Sequence, residues 1–114
     1  MADRAERRLR DMLDAIEQIE GMLADKTLED LNDDRYLRAA YERFLEILSE
    51  ASRHVPPSLK EAFPDIPWRR IADIGNHLRH AYQQIDTEVL WNIRSGGDLA
   101  LLRSAVEQLL RSDR

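Results

Sequence analysis

The side chains best suited to acid–base chemistry and to anion binding lie in the middle third of this 114-residue chain. Residues 53–80 contain all three histidines, together with five Lys or Arg residues and only three Asp or Glu residues. The whole chain has a formal net charge of −5, so this segment is a local basic exception. Histidine titrates near neutrality, and arginine binds phosphate through a rigid fork. We therefore expect any anion-facing surface here, although uneven charge on a solvated surface would give the same composition.

His80, Arg79 and Asn76 are the candidate catalytic residues, because they fall together on one face of a predicted helix. This follows from a rotation of about 100° per residue. In a catalytic role, His80 acts as a general acid or base and Arg79 stabilises charge in the transition state. Asn76, one turn before His80, can bond the imidazole or a substrate. The same spacing also fits a surface histidine that bonds a neighbour and an arginine that is simply solvated.

Gly75 lies at the edge of this polar face, inside the predicted helix. A glycine within a helix costs about 1 kcal/mol relative to alanine, so its presence indicates close approach of another backbone. The opposite arc of the helix is apolar and forms the predicted core stripe: Ile71, Ile74, Leu78, Ala81 and Ile85. We expect the polar face to contact another chain, another helix or a cleft, and not open water.

Two further features of this helix have competing interpretations. His77 is spaced to pair with His80 on a metal ion, but further ligands are missing nearby. We therefore expect no metal ion and no cofactor. Trp68 precedes Arg69 and Arg70, so its ring could stack on a base, although a tryptophan at such a position more often packs into the core.

Apolar spacing, proline breaks and capping residues predict five helices and two shorter turns. Thr27, with Asp30 three residues later, caps the first turn, and the second turn lies within residues 58–67. The helices are predicted at residues 4–23, from 32–34 to the break at Pro56, and at 68–85, 89–94 and 99–110. Long helices with short links favour an all-α, up-and-down bundle of four to five helices. A single domain spanning residues 1–114 is expected.

Composition excludes several classes of protein. Without cysteine there are no disulfides, thiolate metal sites or cysteine nucleophiles. The longest apolar run is four residues, at 99–102, so no membrane span is predicted. The charged first residues lead into no apolar signal core, and we expect a cytoplasmic protein. The acidic net charge argues against general coating of nucleic acid, and no DNA partner is expected.

The sequence of the third predicted helix and of the residues that follow it resembles the motif of a known family. Its motif is Asn-x-Leu-x-His-x-Tyr, followed by Ile-Asp and then Trp, at the positions Asn76, Leu78, His80, Tyr82, Ile85, Asp86 and Trp91. This pattern is similar to that of the HepT-like family, a branch of the all-helical HEPN domains found as one half of two-gene bacterial and archaeal toxin–antitoxin modules. The resemblance covers nearly the whole chain.

The resemblance implies a metal-independent endoribonuclease that works as a homodimer. In the family, two subunits pair so that their arginine and histidine motifs form one composite site. The histidine, here His80, assists attack of a ribose 2′-hydroxyl on the adjacent phosphate, and an arginine steadies the charge. With an RNA substrate, the basic residues Arg69, Arg70 and His77 are the expected RNA contacts.

The resemblance also implies a separately encoded partner, a minimal nucleotidyltransferase antitoxin. In such pairs the partner neutralises the toxin by adding AMP to the motif tyrosine, which is Tyr82 here. This chain has no nucleotidyltransferase signature of its own, so the partner is expected to be another protein.

The sequence departs from the family pattern at one position that matters. The motif arginine is expected five to seven residues before His80, yet Asp73, Ile74 and Gly75 occupy those positions. Arg79 shares the polar face and is the geometric candidate to replace it. The alternative is a non-catalytic subunit that binds substrate or accepts the AMP group for a nucleotidyltransferase. A third possibility is a purely structural helical adaptor.

Overall fold

The computed structural model describes residues 2–80 and 86–112, and the regular structure in these ranges is helical. Its helices are α1 (Ala2–Leu23), α2 (Leu28–Asp33), α3 (Arg35–Arg53), α4 (Pro57–Lys60), α5 (Trp68–His80), α6 (Thr87–Ser95) and α7 (Asp98–Ser112). The predicted all-α, up-and-down bundle is confirmed, and the short helices α2 and α4 are the two predicted turns. Within these ranges, no helix combines the length and the apolar character needed to cross a bilayer.

Local capping explains where the helices begin. The Thr27 hydroxyl accepts a hydrogen bond from the Asp30 amide at 3.1 Å, and the Asp30 carboxylate accepts one from the Thr27 amide at 2.9 Å. This reciprocal capping box confirms the predicted turn at α2. Asp34 caps α3, which therefore begins at Arg35, just after the predicted 32–34 start. Asp86 caps α6 by accepting from the amide of the second helical residue at 2.9 Å.

The core lies between α1, α3, α5 and α7. The apolar residues of α1 with three-and-four spacing are buried, with the exception of the partly buried Leu13; the buried ones are Leu9, Met12, Ile16, Ile19 and Leu23. On α5, Ile71 is buried, while Ile74 and Leu78 are partly buried. Ala81 and Ile85, the other two predicted members of the α5 stripe, lie outside the described residues.

Helix α6 is held in place by polar contacts with α2 and α3. The Tyr41 hydroxyl donates to the Leu90 carbonyl oxygen at 2.6 Å, and burial raises the pKa of Tyr41. Arg38 donates to the Thr87 hydroxyl at 2.7 Å, and that hydroxyl donates to the Asn32 side-chain oxygen at 3.0 Å. These bonds fix the position of α6 relative to α3, the helix against which α5 also packs.

We predict that Tyr41→Phe lowers the free energy of unfolding by about 1 kcal/mol, because it removes one buried hydrogen bond while keeping the ring. The measurement is urea denaturation of the purified protein. Tyr36→Phe is the control, since Tyr36 is 81% exposed, and it should change stability by less than about 0.5 kcal/mol. Equal effects of the two substitutions would contradict a structural role for the Tyr41 bond.

Candidate functional site

Helix α5 crosses α3 in close contact at Gly75. The buried Ser49 hydroxyl donates to the Ala72 carbonyl oxygen at 2.8 Å and accepts from the Gly75 amide at 3.0 Å. Arg53 donates to the same Ala72 oxygen at 3.0 Å. A Cβ atom on Gly75 would lie only 2.7 Å from the Ser49 hydroxyl oxygen and 3.0 Å from its Cβ. A close approach at this glycine is confirmed, and the neighbour is another helix of the same chain, but the nearest atoms belong to the Ser49 side chain and not to a backbone.

The polar face of α5 therefore splits into three directions. Gly75 faces α3, and the Arg79 side chain lines a cleft that α3 and α1 also form. Asn76 and His80 point away from the bundle and are exposed. His77 lies on the other side, towards α6. Within the single chain, the contact with α3 covers only one edge of this face, and cover of the remainder by another chain stays a prediction.

Arg79 folds back along α5 towards Gly75. Its guanidinium Nη1 lies 3.5 Å from the place where a Gly75 Cβ would be. Side chains on a helix lean towards its N-terminus, so an arginine one turn later reaches the surface above the glycine. A positive group thus lies above position 75, although that residue has no side chain.

A histidine and carboxylate pair near this arginine was not predicted as part of the site. The carboxylate of Glu50, on α3, lies 3.0 Å from the imidazole Nε2 of His54, which is the C-cap residue of that helix. The hydrogen bond from His54 lowers the pKa of Glu50, and the nearby charges of Arg53 and Arg79 lower it further. The spacing of four residues between Glu50 and His54 is the sequence signal that could have identified this pair.

The other basic candidates are not brought next to His80. Arg69 and Arg70 lie in the first turn of α5, roughly 15 Å of helix before His80. Arg69 is exposed, and Arg70 forms an ion pair of 3.2 Å with Asp98 at the start of α7. Trp68 packs against the core, which was the alternative to stacking on a base. Its indole N–H donates to the Phe63 carbonyl oxygen at 3.1 Å.

An apolar groove separates α5 from α6 beside His77. It extends towards α7, and Val89 at its centre is 56% exposed. Its main lining residues are Ile74, His77, Leu78, Val89, Leu90 and Ile93. Tyr82, the predicted AMP acceptor, lies outside the described residues. In the described part of the chain, no three His, Asp or Glu side chains are grouped as metal ligands.

In this all-helical bundle, α5 exposes the His80 imidazole and the Asn76 amide, and its Arg79 guanidinium lines the neighbouring cleft. The family model described as Ribonuclease HepT-like matches residues 12–109. The chain belongs to the HepT-like ribonuclease family, and the resemblance of the α5 motif to this family is confirmed.

Two similar proteins come from archaea. "Probable ribonuclease HepT" of Thermococcus cleftensis is 38% identical over 101 residues, which cover 89% of this chain and 91% of that protein. "Putative RNase MJ1380" of Methanocaldococcus jannaschii is 33% identical over 85 residues, which cover 75% of this chain and 78% of that protein. No solved protein structure matches the chain significantly.

We predict that Gly75→Ala destabilises the fold by about 1–3 kcal/mol, because the new methyl group must displace Ser49 or push α5 away from α3. Gly21→Ala is the matched control, since a Cβ there meets nothing within 4 Å. It should stabilise the protein by about 0.5–1 kcal/mol through helix propensity. Both changes are measured by urea denaturation.

Ser49→Gly provides the second half of a double-mutant cycle. If the Gly75→Ala effect comes from collision with Ser49, the substitution should be much less harmful when Ser49→Gly is already present. Additive effects of Gly75→Ala and Ser49→Gly would show that the close contact does not cause the loss.

Proposed function

We propose that this protein is the endoribonuclease toxin of a two-gene toxin–antitoxin module, and that it cleaves RNA as a homodimer without a metal ion. Membership in the HepT-like ribonuclease family supports this, as does the name of the Thermococcus cleftensis relative. The observation on which the proposal most depends is the exposed arc of α5. There His80 and Asn76 face outward, and Arg79 of the same helix lines the adjoining cleft.

The proposed reaction uses a nucleophile that belongs to the substrate. His80 accepts the proton of a ribose 2′-hydroxyl, and the 2′-oxygen attacks the adjacent phosphorus. The bond from phosphorus to the 5′-oxygen breaks, which leaves a 2′,3′-cyclic phosphate and a 5′-hydroxyl. The partner subunit's imidazole supplies the proton for the leaving oxygen. Arg79 donates to the non-bridging oxygens, and Asn76 orients His80 or the ribose.

Arg79 is proposed as the replacement for the motif arginine. Its guanidinium lies above Gly75, one of the positions at which the family pattern places an arginine. An arginine side chain at position 75 itself would begin inside the contact with Ser49. The positive charge therefore has to come from a neighbouring turn, and Arg79 is the residue that reaches the place.

The proposed dimer brings two copies of α5 together. Its support is the exposure of His80 and the apolar groove around Val89, which a second subunit would cover. The Gly75 notch does not form the subunit contact, because Ser49 of the same chain already fills it. In the proposed dimer, the two copies of α5 therefore do not pack glycine against glycine.

Arg69, Arg70 and His77 are proposed as additional RNA contacts. Arg69 and His77 are exposed and therefore accessible to a phosphate. Arg70 is paired with Asp98, but the two side chains are 74% and 42% exposed, and such surface pairs contribute only about 0–1 kcal/mol. Arg70 can therefore exchange the Asp98 carboxylate for a phosphate oxygen at little cost.

The second candidate function is an acceptor subunit without nuclease activity. The observation that favours it is Gly75, which leaves one of the motif arginine positions without a side chain. Both functions share the proposed partner, a minimal nucleotidyltransferase antitoxin that transfers AMP to Tyr82. They differ in whether the unmodified chain cleaves RNA.

We predict that the purified protein cleaves RNA in the presence of EDTA. His80→Ala and Arg79→Ala should each slow cleavage by about 100-fold or more, because they remove proton transfer and charge stabilisation respectively. Arg7→Ala is the control, because Arg7 is an exposed arginine on α1, and this variant should cleave at the wild-type rate. Induced expression of the wild type should arrest growth, and His80→Ala should relieve the arrest.

Two outcomes would contradict this proposal. Undiminished cleavage or toxicity of His80→Ala would remove this histidine from the mechanism. A monomer in light scattering at micromolar concentration would contradict the composite site of a dimer.

We predict that incubation with the nucleotidyltransferase partner and ATP increases the intact mass of the chain by one adenylyl group. Tyr82→Phe should abolish the increase, because it removes the phenolic acceptor oxygen. Tyr36→Phe removes an exposed phenol on α3 and should leave the increase unchanged. A mass increase on Tyr82→Phe would exclude Tyr82 as the acceptor, and AMP transfer without RNA cleavage by the unmodified chain would favour the acceptor subunit.

A further inference from the structure

A polar cleft lies on the outer side of α3, between α1 and α5. Its floor comes from α3, and its walls come from Arg8 and Asp11 of α1 and from Arg79 of α5. The residues that α3 contributes are Arg43, Glu46, Ile47, Glu50 and Ala51. The cleft therefore shares Arg79 with the candidate catalytic face but extends away from it across two further helices.

Three arginines from three different helices line this cleft. In the described residues, Arg8, Arg43 and Arg79 form no hydrogen bond and no ion pair. Elsewhere, arginines that lie between helices are paired, as Arg94 is with Glu20 and Arg103 is with Glu17. The donors of the three cleft arginines thus remain available for an external acceptor, and a guanidinium fork matches the oxygens of a phosphate.

The carboxylates in the cleft determine what kind of binding it can support. Asp11, Glu46 and Glu50 balance the formal charge of the three arginines, and Glu50 is already bonded to His54. A cleft with no net charge does not attract a polyanion from a distance. Binding there must therefore rely on short-range hydrogen bonds from the guanidinium groups, which suits a chain whose overall charge is −5.

We propose that this cleft binds the phosphodiester backbone of single-stranded RNA next to the cleaved bond. Arg8 and Arg43 hold flanking phosphates, while Arg79 bridges the cleft and the scissile phosphate. The cleft extends from the reaction centre because Arg79 directly precedes His80 on α5. A groove that follows the sugar–phosphate backbone is a common mode of binding single-stranded nucleic acid. This inference rests on the proposed ribonuclease function and assigns to it a binding surface on α1 and α3.

The test measures RNA binding in the His80→Ala background, so that cleavage does not consume the probe. The probe is a fluorescein-labelled, single-stranded oligoribonucleotide of random sequence, and affinity is read by anisotropy at several salt concentrations. Arg8→Gln and Arg43→Gln should each weaken binding by about fivefold or more. Each should also reduce the slope of log affinity against log salt by about 0.7.

Arg7→Gln is the matched control, because Arg7 is an exposed arginine beside Arg8 on α1 that does not line the cleft. It should weaken binding by less than about twofold, since it loses only unspecific charge attraction. Losses for Arg8→Gln and Arg43→Gln no larger than that for Arg7→Gln would overturn the inference. Absence of probe binding would overturn it too. So would a change of oligomeric state in light scattering with unchanged RNA affinity, because the cleft would then be a subunit contact.

Cleavage assays on proteins that retain His80 separate this inference from the proposed function. Cleavage that is unaffected by Arg8→Gln and Arg43→Gln would leave the nuclease in place and reject the cleft. Binding that depends on Arg8 and Arg43, without any cleavage by the wild type, would retain the RNA-binding cleft and reject the nuclease.

Discussion

The buried hydroxyl group of Ser49 determines how α5 is oriented on the helical bundle. Ser49 bonds to both Ala72 and Gly75, and it does so where water is excluded and a lost partner is most costly. Because α5 can approach α3 only where it lacks a side chain, Gly75 sets both the separation and the rotation of the helix. With that rotation fixed, Asn76 and His80 point outward and Ile71 points into the core.

The same contact bears on the proposal that Arg79 supplies the cationic group of the site. A side chain at position 75 would start against Ser49, so no arginine can extend from there without moving α3. The surface above the glycine is instead reached by Arg79, one turn later, whose side chain leans back along the helix. In the proposed site, packing and chemistry are thus coupled at Gly75, and a change made for one would affect the other.

Local features of the fold were predictable from sequence, and contacts between distant segments were not. Helix caps can be predicted because capping involves only residues that are close in sequence. Examples are Thr27 with Asp30 at α2 and Asp86 at α6. Gly75 predicted a close approach, but its spacing could not distinguish another chain, another helix or a cleft. The convergence of Arg8 and Arg43 had no sequence signal, because each looks like an ordinary solvated charge on its own helix.

The attachment of α6 has a consequence for how the motif segment meets other molecules. Gly75 is secured on α3 by Ser49, and Thr87 and Leu90 are secured on α3 by Arg38 and Tyr41. Helix α5 at Gly75 and helix α6 at Thr87 and Leu90 are thus both attached to α3. When a molecule binds across α5 and α6, the two helices lose less conformational entropy than the same segments would lose as separate peptides, because α3 already fixes their relative positions. Peptides of the two helices should therefore be poor substitutes for the intact protein in recognition by such a molecule.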